Sequence, residues 1–288
     1  MAGFFGLFNY EKAGPGISKN APKKKAYIVF FETFFRNFWK FIPINLVFSI
    51  ISIPLITSGI SKVGITNVTR NIARDKHSFG LSDYFETIKK NWKQALIAGI
   101  INTLVYVILI FDIIFDIIFF NGSGGIVTSI GLGITLSILM IFLMMDFYLW
   151  TLMITFKFSL KQLYSNSFKF VIINFKKNLL CGILLLLTLA IYVAILFISG
   201  KYFIVALSLE LIVYSITFPA FKALLIQYFT FPCIKKVIID PYYEEHPDED
   251  IQKRLDLGLE VEQPKPETTD DTDEEEESEN VFDDNLII

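Results

Sequence analysis

This chain is poor in the residues on which most protein chemistry depends. Its 288 residues include two cysteines and two histidines. Cys181 falls in an apolar run and Cys233 in a basic flank, far apart in sequence, so both are expected as reduced structural thiols rather than a disulfide framework. His77 and His246 stand alone, without the neighbours of a metal or acid–base site. No Gly-rich phosphate loop precedes a helix, there is no ATP motif, and no Ser/His/Asp arrangement is credible. The pair Gly131 and Gly133 sits inside an apolar run, where close helix packing is its expected use. These absences leave no catalytic, cofactor or metal site to expect, and no means by which the chain alone would power transport. Charge is scarce as well: 19% of the residues are charged, less than a soluble domain of this length carries. The opening Met1-Ala-Gly-Phe-Phe-Gly-Leu-Phe8 has neither a basic n-region nor an adequate apolar h-region, so no cleavable signal peptide is expected.

What the chain has in abundance is apolar residues, 53% of the total, with 30 phenylalanines. Four apolar stretches, near 95–120, 126–156, 178–199 and 202–228, are each long enough to cross a hydrocarbon core of roughly 30 Å. The stretch 37–74 crosses either once or twice with a break at Pro54; its second half carries Lys62 and few bulky residues. Charge decides between the two. With a double crossing, the clusters Lys19 to Lys40, Arg70 to Lys93, Lys157 to Lys177 and Lys235-Lys236 all fall on one side, as the positive-inside bias demands. The expected fold is therefore all-α: a polytopic transmembrane protein of six spans in three hairpins, with both termini cytoplasmic. Tight outer turns are expected at Pro54–Gly59, Asn121-Gly-Ser-Gly-Gly125 and Ser199-Gly-Lys201, where Gly, Asn and Pro suit a sharp reversal. The domains read as a cytoplasmic N-terminal segment with an interfacial helix (1–36), a transmembrane domain (37–228), a basic inner flank (229–243) and a disordered acidic cytoplasmic tail (244–288).

Three segments lead from basic and aromatic residues into apolar ones: Phe31-Glu-Thr-Phe-Phe-Arg-Asn-Phe-Trp-Lys40, Phe85-Glu-Thr-Ile-Lys-Lys-Asn-Trp-Lys93 and Phe168-Lys-Phe-Val-Ile-Ile-Asn-Phe-Lys-Lys177. A shift of 83 aligns Phe85 with Phe168, Asn91 with Asn174 and Gly99 with Gly182; a shift of 54 aligns Phe31-Glu-Thr with Phe85-Glu-Thr and Asn37 with Asn91. The gathering of aromatic and basic residues at an inner interface accounts for part of this. It does not account for the matched Asn and Gly, so a repeated hairpin unit stays open. Each segment is expected as an amphipathic juxtamembrane helix, its aromatics toward acyl chains and its lysines toward anionic lipid phosphates. Asp83 and Glu86 have the spacing of a capping box.

The stretch Gly6-Leu-Phe-Asn-Tyr-Glu-Lys-Ala-Gly-Pro-Gly-Ile-Ser-Lys19 resembles the N-terminal signature of the YesL-type family of small bacterial membrane proteins. The resemblance continues through Phe34-Phe-Arg-Asn-Phe-Trp-Lys40, Ile53-Pro-Leu-Ile-Thr-Ser-Gly59, Arg70-Asn, Ser82-Asp-Tyr-Phe85 and Asn91-Trp-Lys93, covering residues 6 to about 95. It implies a bacterial inner-membrane protein in the setting of carbohydrate uptake, and no active site. The long acidic tail departs from the family pattern.

Ionisable residues inside apolar runs are costly and point to function by default. Lys62, Asp112, Asp116 and Glu210 are expected in the outer half of the membrane. At a rise of 1.5 Å per residue Asp112 and Glu210 lie roughly 13 Å from their outer turns, and Lys62 lies about 5 Å from its own. Lys62, Asp112 and Glu210 are expected to converge between the hairpins, with Asp116 on the same helix face as Asp112. Such a cluster is a structural lock, a solute or proton site, or a set of separate side chains reaching water. Asp146 and Lys222 are expected at the inner interface, either as a pair or each snorkelling to water.

The charge balance is split. Residues 1–243 hold 23 Lys/Arg against 10 Asp/Glu, a balance of +13, and residues 244–288 hold 3 against 19, a balance of −16. The tail is expected to be a solvated disordered segment, a docking peptide for a basic partner, or a segment folded against the chain's own basic face, with a short amphipathic helix at 251–259. The basic flanks fit a membrane surface, not nucleic acid. Two functions follow as expectations: a non-enzymatic accessory protein, working in or beside a solute-uptake transporter complex, or a permease-like component using the polar cluster between the hairpins.

Overall fold

The computed structural model describes residues 25–119 and 125–245. The N-terminal signature before residue 25, the turn at 121–124, His246, the predicted helix at 251–259 and the tail from 246 onward lie outside the described residues. Within them the chain is helices and their connections: α1 (Ala26–Arg36), α2 (Phe38–Ser52), α3 (Ser58–Ala73), α4 (Leu81–Phe119), α5 (Ile126–Thr155), α6 (Leu160–Ile173), α7 (Phe175–Ser199), α8 (Phe203–Ile234) and the short α9 (Asp240–Glu245). No strand occurs among the described residues. Three helical stretches are long and apolar enough to cross a membrane: Leu81–Ile118, Ser129–Thr155 and Phe175–Glu245. The last of these turns at Gly200–Tyr202, where Gly200 takes the positive φ that suits glycine. The chain is an all-helical membrane protein.

Contacts along the chain show which helices run antiparallel. Asp112 meets Thr135, Tyr106 meets Phe142 at 5.2 Å and Asn102 meets Asp146 at 2.9 Å, a steady pairing that runs α4 against α5. Tyr192 packs edge-on against both Tyr214 and Phe218, which sets α7 against α8. Ser61 donates to the Phe48 carbonyl at 3.0 Å, bringing α3 back along α2 after a short turn at Leu55–Thr57.

The most polar of these helices lies deepest. α3 packs against α2, α4, α5 and α8, and buries Ser61, Thr66, Thr69 and Arg70 beside Val63, Ile65, Val68 and Ile72. A helix whose polar residues face other helices can be surrounded by protein where a lipid-facing one could not. Close approach to α4 is what admits it. A Cβ on Gly59 would run into the Ala95 carbonyl and come 2.7 Å from Gly99 Cα, and one on Gly99 would come 3.0 Å from Gly59 Cα. The expected tight packing at Gly131 and Gly133 is not what the structure shows: a Cβ on Gly133 would meet nothing within 4 Å. The small-residue seam is Gly59, Ala95 and Gly99.

This contact also sets the levels of the helices. Gly59 lies at the α2–α3 turn, yet its partner Gly99 is about 20 residues before the end of α4, roughly 30 Å at the helical rise. The α2–α3 pair therefore stops well short of the far end of α4 and α5. At the opposite end the helices are level: Arg70 on α3 donates to Thr155 Oγ1 at 2.7 Å, and Gln227 on α8 donates to Thr151 Oγ1 at 2.9 Å.

The basic-aromatic segments take two forms. The first and third are separate helices, α1 and α6, which end at Asn37 and Asn174 before α2 and α7 begin. The second is not a separate interfacial helix; it is the first part of the unbroken 39-residue α4. The matched Asn and Thr nevertheless make the same bond in the first two segments. Asn37 Nδ2 donates to the Thr33 carbonyl and Asn91 Nδ2 to the Thr87 carbonyl, both at 3.0 Å. The helix start at 81 also differs from the expected capping box. Asp83 reaches back to accept from Ser78 Oγ at 2.8 Å and the Phe79 N–H at 2.9 Å, while Glu86 pairs with Lys90 at 2.7 Å. Both cysteines are free, Cys181 buried and Cys233 partly so.

Pro219 interrupts α8, and α2 repairs the break. Proline has no N–H for the Ser215 carbonyl, and its ring pushes that carbonyl aside. Ser49 Oγ donates to the Ser215 carbonyl at 3.3 Å. Asn45 bridges the next pair: its Nδ2 donates to the Ile216 carbonyl and its Oδ1 accepts from the Ala220 N–H at 2.8 Å. An unbroken helix would join those two backbone groups to each other. Replacing Asn45 by leucine leaves both unpaired in an apolar interior, at about 1–3 kcal/mol each. Asn45→Leu is expected to lower the melting temperature in detergent. Adding Pro219→Ala is expected to recover part of the loss, because α8 can then close its own bonds.

Candidate functional site

Beside that break, a cavity of about 360 Å³ lies among α2, α3, α5 and α8. Its apolar wall includes Phe48, Phe147, Trp150 and Phe218, and its polar groups include Lys62, Asp146, Lys222 and Gln227. Pockets of this size, mostly apolar with a few fixed polar groups, are the usual form of a small-molecule site.

Asp146 organises one side of it. Lys62 Nζ approaches both carboxylate oxygens, at 2.9 and 3.2 Å. Asn102 Nδ2 and Trp150 Nε1 donate to Oδ1 at 2.9 and 2.8 Å. Behind Asn102, Tyr164 on α6 donates to Asn102 Oδ1 at 2.7 Å. The Lys62 ammonium also lies 5.1 Å from the centre of the Trp150 ring, so its charge is met by a carboxylate and by an aromatic face. Four helices thus fix one ion pair, whose side chains are 24% and 11% exposed. Lys222, from the turn of α8 after Pro219, lines the same cavity.

The six ionisable residues singled out from the sequence are arranged differently from the expectation. Lys62 joins Asp146, and neither Asp112 nor Glu210. The reason is the mismatch of levels: Asp112 lies 13 residues beyond Gly99, roughly 20 Å past the α2–α3 turn, while Lys62 points the other way from that turn. Asp112 is exposed and accepts from Thr135 Oγ1. Asp116 is half-buried, close to Gly131 on α5. Glu210 is half-buried on α8, and its Oε1 has no hydrogen-bond partner among the described residues. Asp146 and Lys222 share the cavity, but the ion pair of Asp146 is with Lys62. Both lie within their helices: Asp146 is about 13 Å from the α5 end at Thr155, and Lys222 about 18 Å from the α8 end at Ile234.

Sequence reasoning passed over Asn45, Asn102, Trp150, Tyr164 and Gln227. Charge was the signal it followed, and these are uncharged. An amide inside an apolar run carries a donor and an acceptor that both need partners, and by that test Asn45, Asn102 and Gln227 stand out. Among the described residues no group of three or more His, Cys, Asp or Glu is placed to hold a metal ion.

Residues 41–113 match the model of a family described as "Protein of unknown function, DUF624". The YesL-type proteins are a DUF624 family, so this match and the sequence resemblance agree. The matched stretch runs from α2 to α4 and takes in Asn45, Lys62 and Asn102; Asp146 and Lys222 lie outside it. No curated protein and no solved structure matches the chain.

Proposed function

We propose that this chain is a multi-pass protein of the bacterial cell membrane that serves solute uptake as a permease-like component, binding its solute in the cavity beside Pro219. In this reading α2, α3, α4, α5, α7 and α8 lie in the bilayer as three hairpins with both termini cytoplasmic, the α2–α3 pair ending part-way across. The carrying observation is the cavity itself, with a partly buried Lys62–Asp146 pair and Lys222 on its wall near mid-bundle. The family resemblance supplies carbohydrate uptake as the context. No enzymatic step is proposed, and no cofactor.

Ala223 lines the cavity, and tryptophan there would fill it. Vesicles reconstituted with the wild-type protein are expected to take up one or more members of a panel of labelled sugars and small carboxylates. Ala223→Trp vesicles with equal protein content are expected to take up none. Wild-type vesicles no better than empty ones across the panel would remove the permease reading.

A second reading, a non-enzymatic accessory protein within an uptake complex, draws on the exposed apolar surface of α7, where Leu186, Leu187, Ile191, Phe197 and Ile198 lack protein cover. Lipid or a partner transporter would cover it. The inner face offers a hollow of about 320 Å³ where Arg36, Lys40 and Lys76 outnumber Asp75, which pairs with Arg36; its net positive charge suits anionic lipid headgroups. The acidic tail is proposed as a docking segment for a basic partner. Deleting residues 246–288 is then expected to remove a protein that co-purifies in mild detergent; an unchanged set of co-purifying proteins would discard the docking role.

A further inference from the structure

The two sides of the cavity differ in how well their polar groups are satisfied. Asp146 is well supplied: Oδ1 accepts from Lys62, Asn102 and Trp150, and Oδ2 from Lys62. It has little left to offer a ligand. Lys222 is the reverse: the described residues give its ammonium neither a hydrogen bond nor an ion pair, although it lines the cavity. Two more wall groups are buried and unpartnered, Ser52 Oγ and Gln227 Oε1. Gln227 has already committed its N–H side to Thr151 Oγ1 at 2.9 Å, so what remains is an acceptor.

The cavity therefore holds two ammonium groups and one carboxylate, an excess of one positive charge in surroundings of low polarity. A cation in such a place gives up its proton unless something negative meets it. The free amide oxygen of Gln227 asks for a donor, and the aromatic wall offers flat apolar faces.

We infer that the cavity takes a small organic anion that also carries a hydroxyl or N–H donor, its negative group on Lys222 beside Lys62 and its donor on Gln227 Oε1. This rests on the reading that the cavity binds a solute, and adds the charge of that solute. Asp146 is the group that holds Lys62 in place and does not touch the anion.

The test compares three compounds of one shape in neutral phosphatidylcholine nanodiscs near pH 7.5: 4-hydroxybenzoate, 4-hydroxybenzamide and 4-hydroxybenzylamine, which are anionic, neutral and cationic. Calorimetry is expected to show at least about tenfold tighter binding of 4-hydroxybenzoate than of the amide, about 1.4 kcal/mol, and no binding of the amine. Lys222→Gln is expected to bring the anion and the amide to equal affinity, and Lys222→Arg to keep the preference. Equal binding of anion and amide to the wild type, both blocked by Ala223→Trp, overturns the charge inference and leaves the solute-binding reading standing. No binding of any compound, with Ala223→Trp indistinguishable from wild type in stability, overturns both. A further arm replaces part of the lipid with phosphatidylglycerol. If that lipid displaces 4-hydroxybenzoate and stabilises the wild type but not Lys222→Gln, the anionic site stands with a lipid headgroup as its natural source. If it has no effect, the source is a dissolved solute.

Discussion

Asp146→Ala is expected to yield little or no folded protein. Among the described residues the carboxylate is the sole negative charge on the cavity wall, and it meets Lys62 there at 2.9 Å. Its removal leaves Lys62 and Lys222 facing one cavity with no counter-charge, and takes acceptors from Asn102 and Trp150 at the same time. Breaking one partner out of a fully buried pair costs about 3–5 kcal/mol. Here the side chains keep 24% and 11% exposure, so the loss is expected toward the lower end, still a large part of the stability of an ordinary domain. The measurement is the yield and melting temperature of the monodisperse peak in detergent. Removing both charges is the control: Lys62→Met combined with Asp146→Asn is expected to recover most of the loss, since the amide oxygen still accepts from Trp150 and the stranded ammonium is gone. An unchanged melting temperature in Asp146→Ala would mean that water, not Asp146, solvates Lys62. Asp112→Asn is expected to leave the melting temperature nearly unchanged, because the amide oxygen still accepts from Thr135 Oγ1.

The second large effect is expected at Gly99. Leucine there would drive a branched side chain into the α3 backbone at Gly59 and into the Ile56 carbonyl, at 3.0 and 3.2 Å from the first added carbon alone. Backbone cannot step aside as a flexible side chain can, so α3 and α4 must part, and with them the helix that carries Lys62. Overpacking of this kind costs about 1–3 kcal/mol where neighbours can shift and more where they cannot. The expected result is loss of the monodisperse peak. Gly182, which the sequence aligns with Gly99, provides the contrast: a Cβ there would meet nothing within 4 Å, and Gly182→Leu is expected to fold as the wild type does. Equal damage from both substitutions would show that Gly182 has a partner of its own.

That contrast also defines how far the internal repeat reaches. The Thr33–Asn37 and Thr87–Asn91 bonds are the same local device, made within one turn of helix, and local devices are what aligned residues can reveal. Gly99 and Gly182 occupy equivalent places in sequence, but only Gly99 has another helix against it. Asn174 shows the same limit: it ends a helix as Asn37 does, yet its amide donates to Tyr148 OH at 2.9 Å on a different helix.

Residue types and run lengths alone make this an all-helical membrane protein, turn its long apolar runs into α4, α5, α7 and α8, and leave it a pair of free thiols. Those properties depend on residue type, run length and the chain's near neighbours. The sequence also marks Lys62 as a costly residue inside an apolar run, and it assigns Asp146 to the inner interface. That the two belong to each other follows from how the helices pack. Depth counted from each turn assumes that all the turns are level, and the Gly59–Gly99 contact sets the α2–α3 turn roughly 30 Å lower than the end of α4. Pairing across helices depends on that offset, and so does everything built on it: the buried polar α3, the Asn45 repair of Pro219, and a cavity with one positive charge more than its own residues balance.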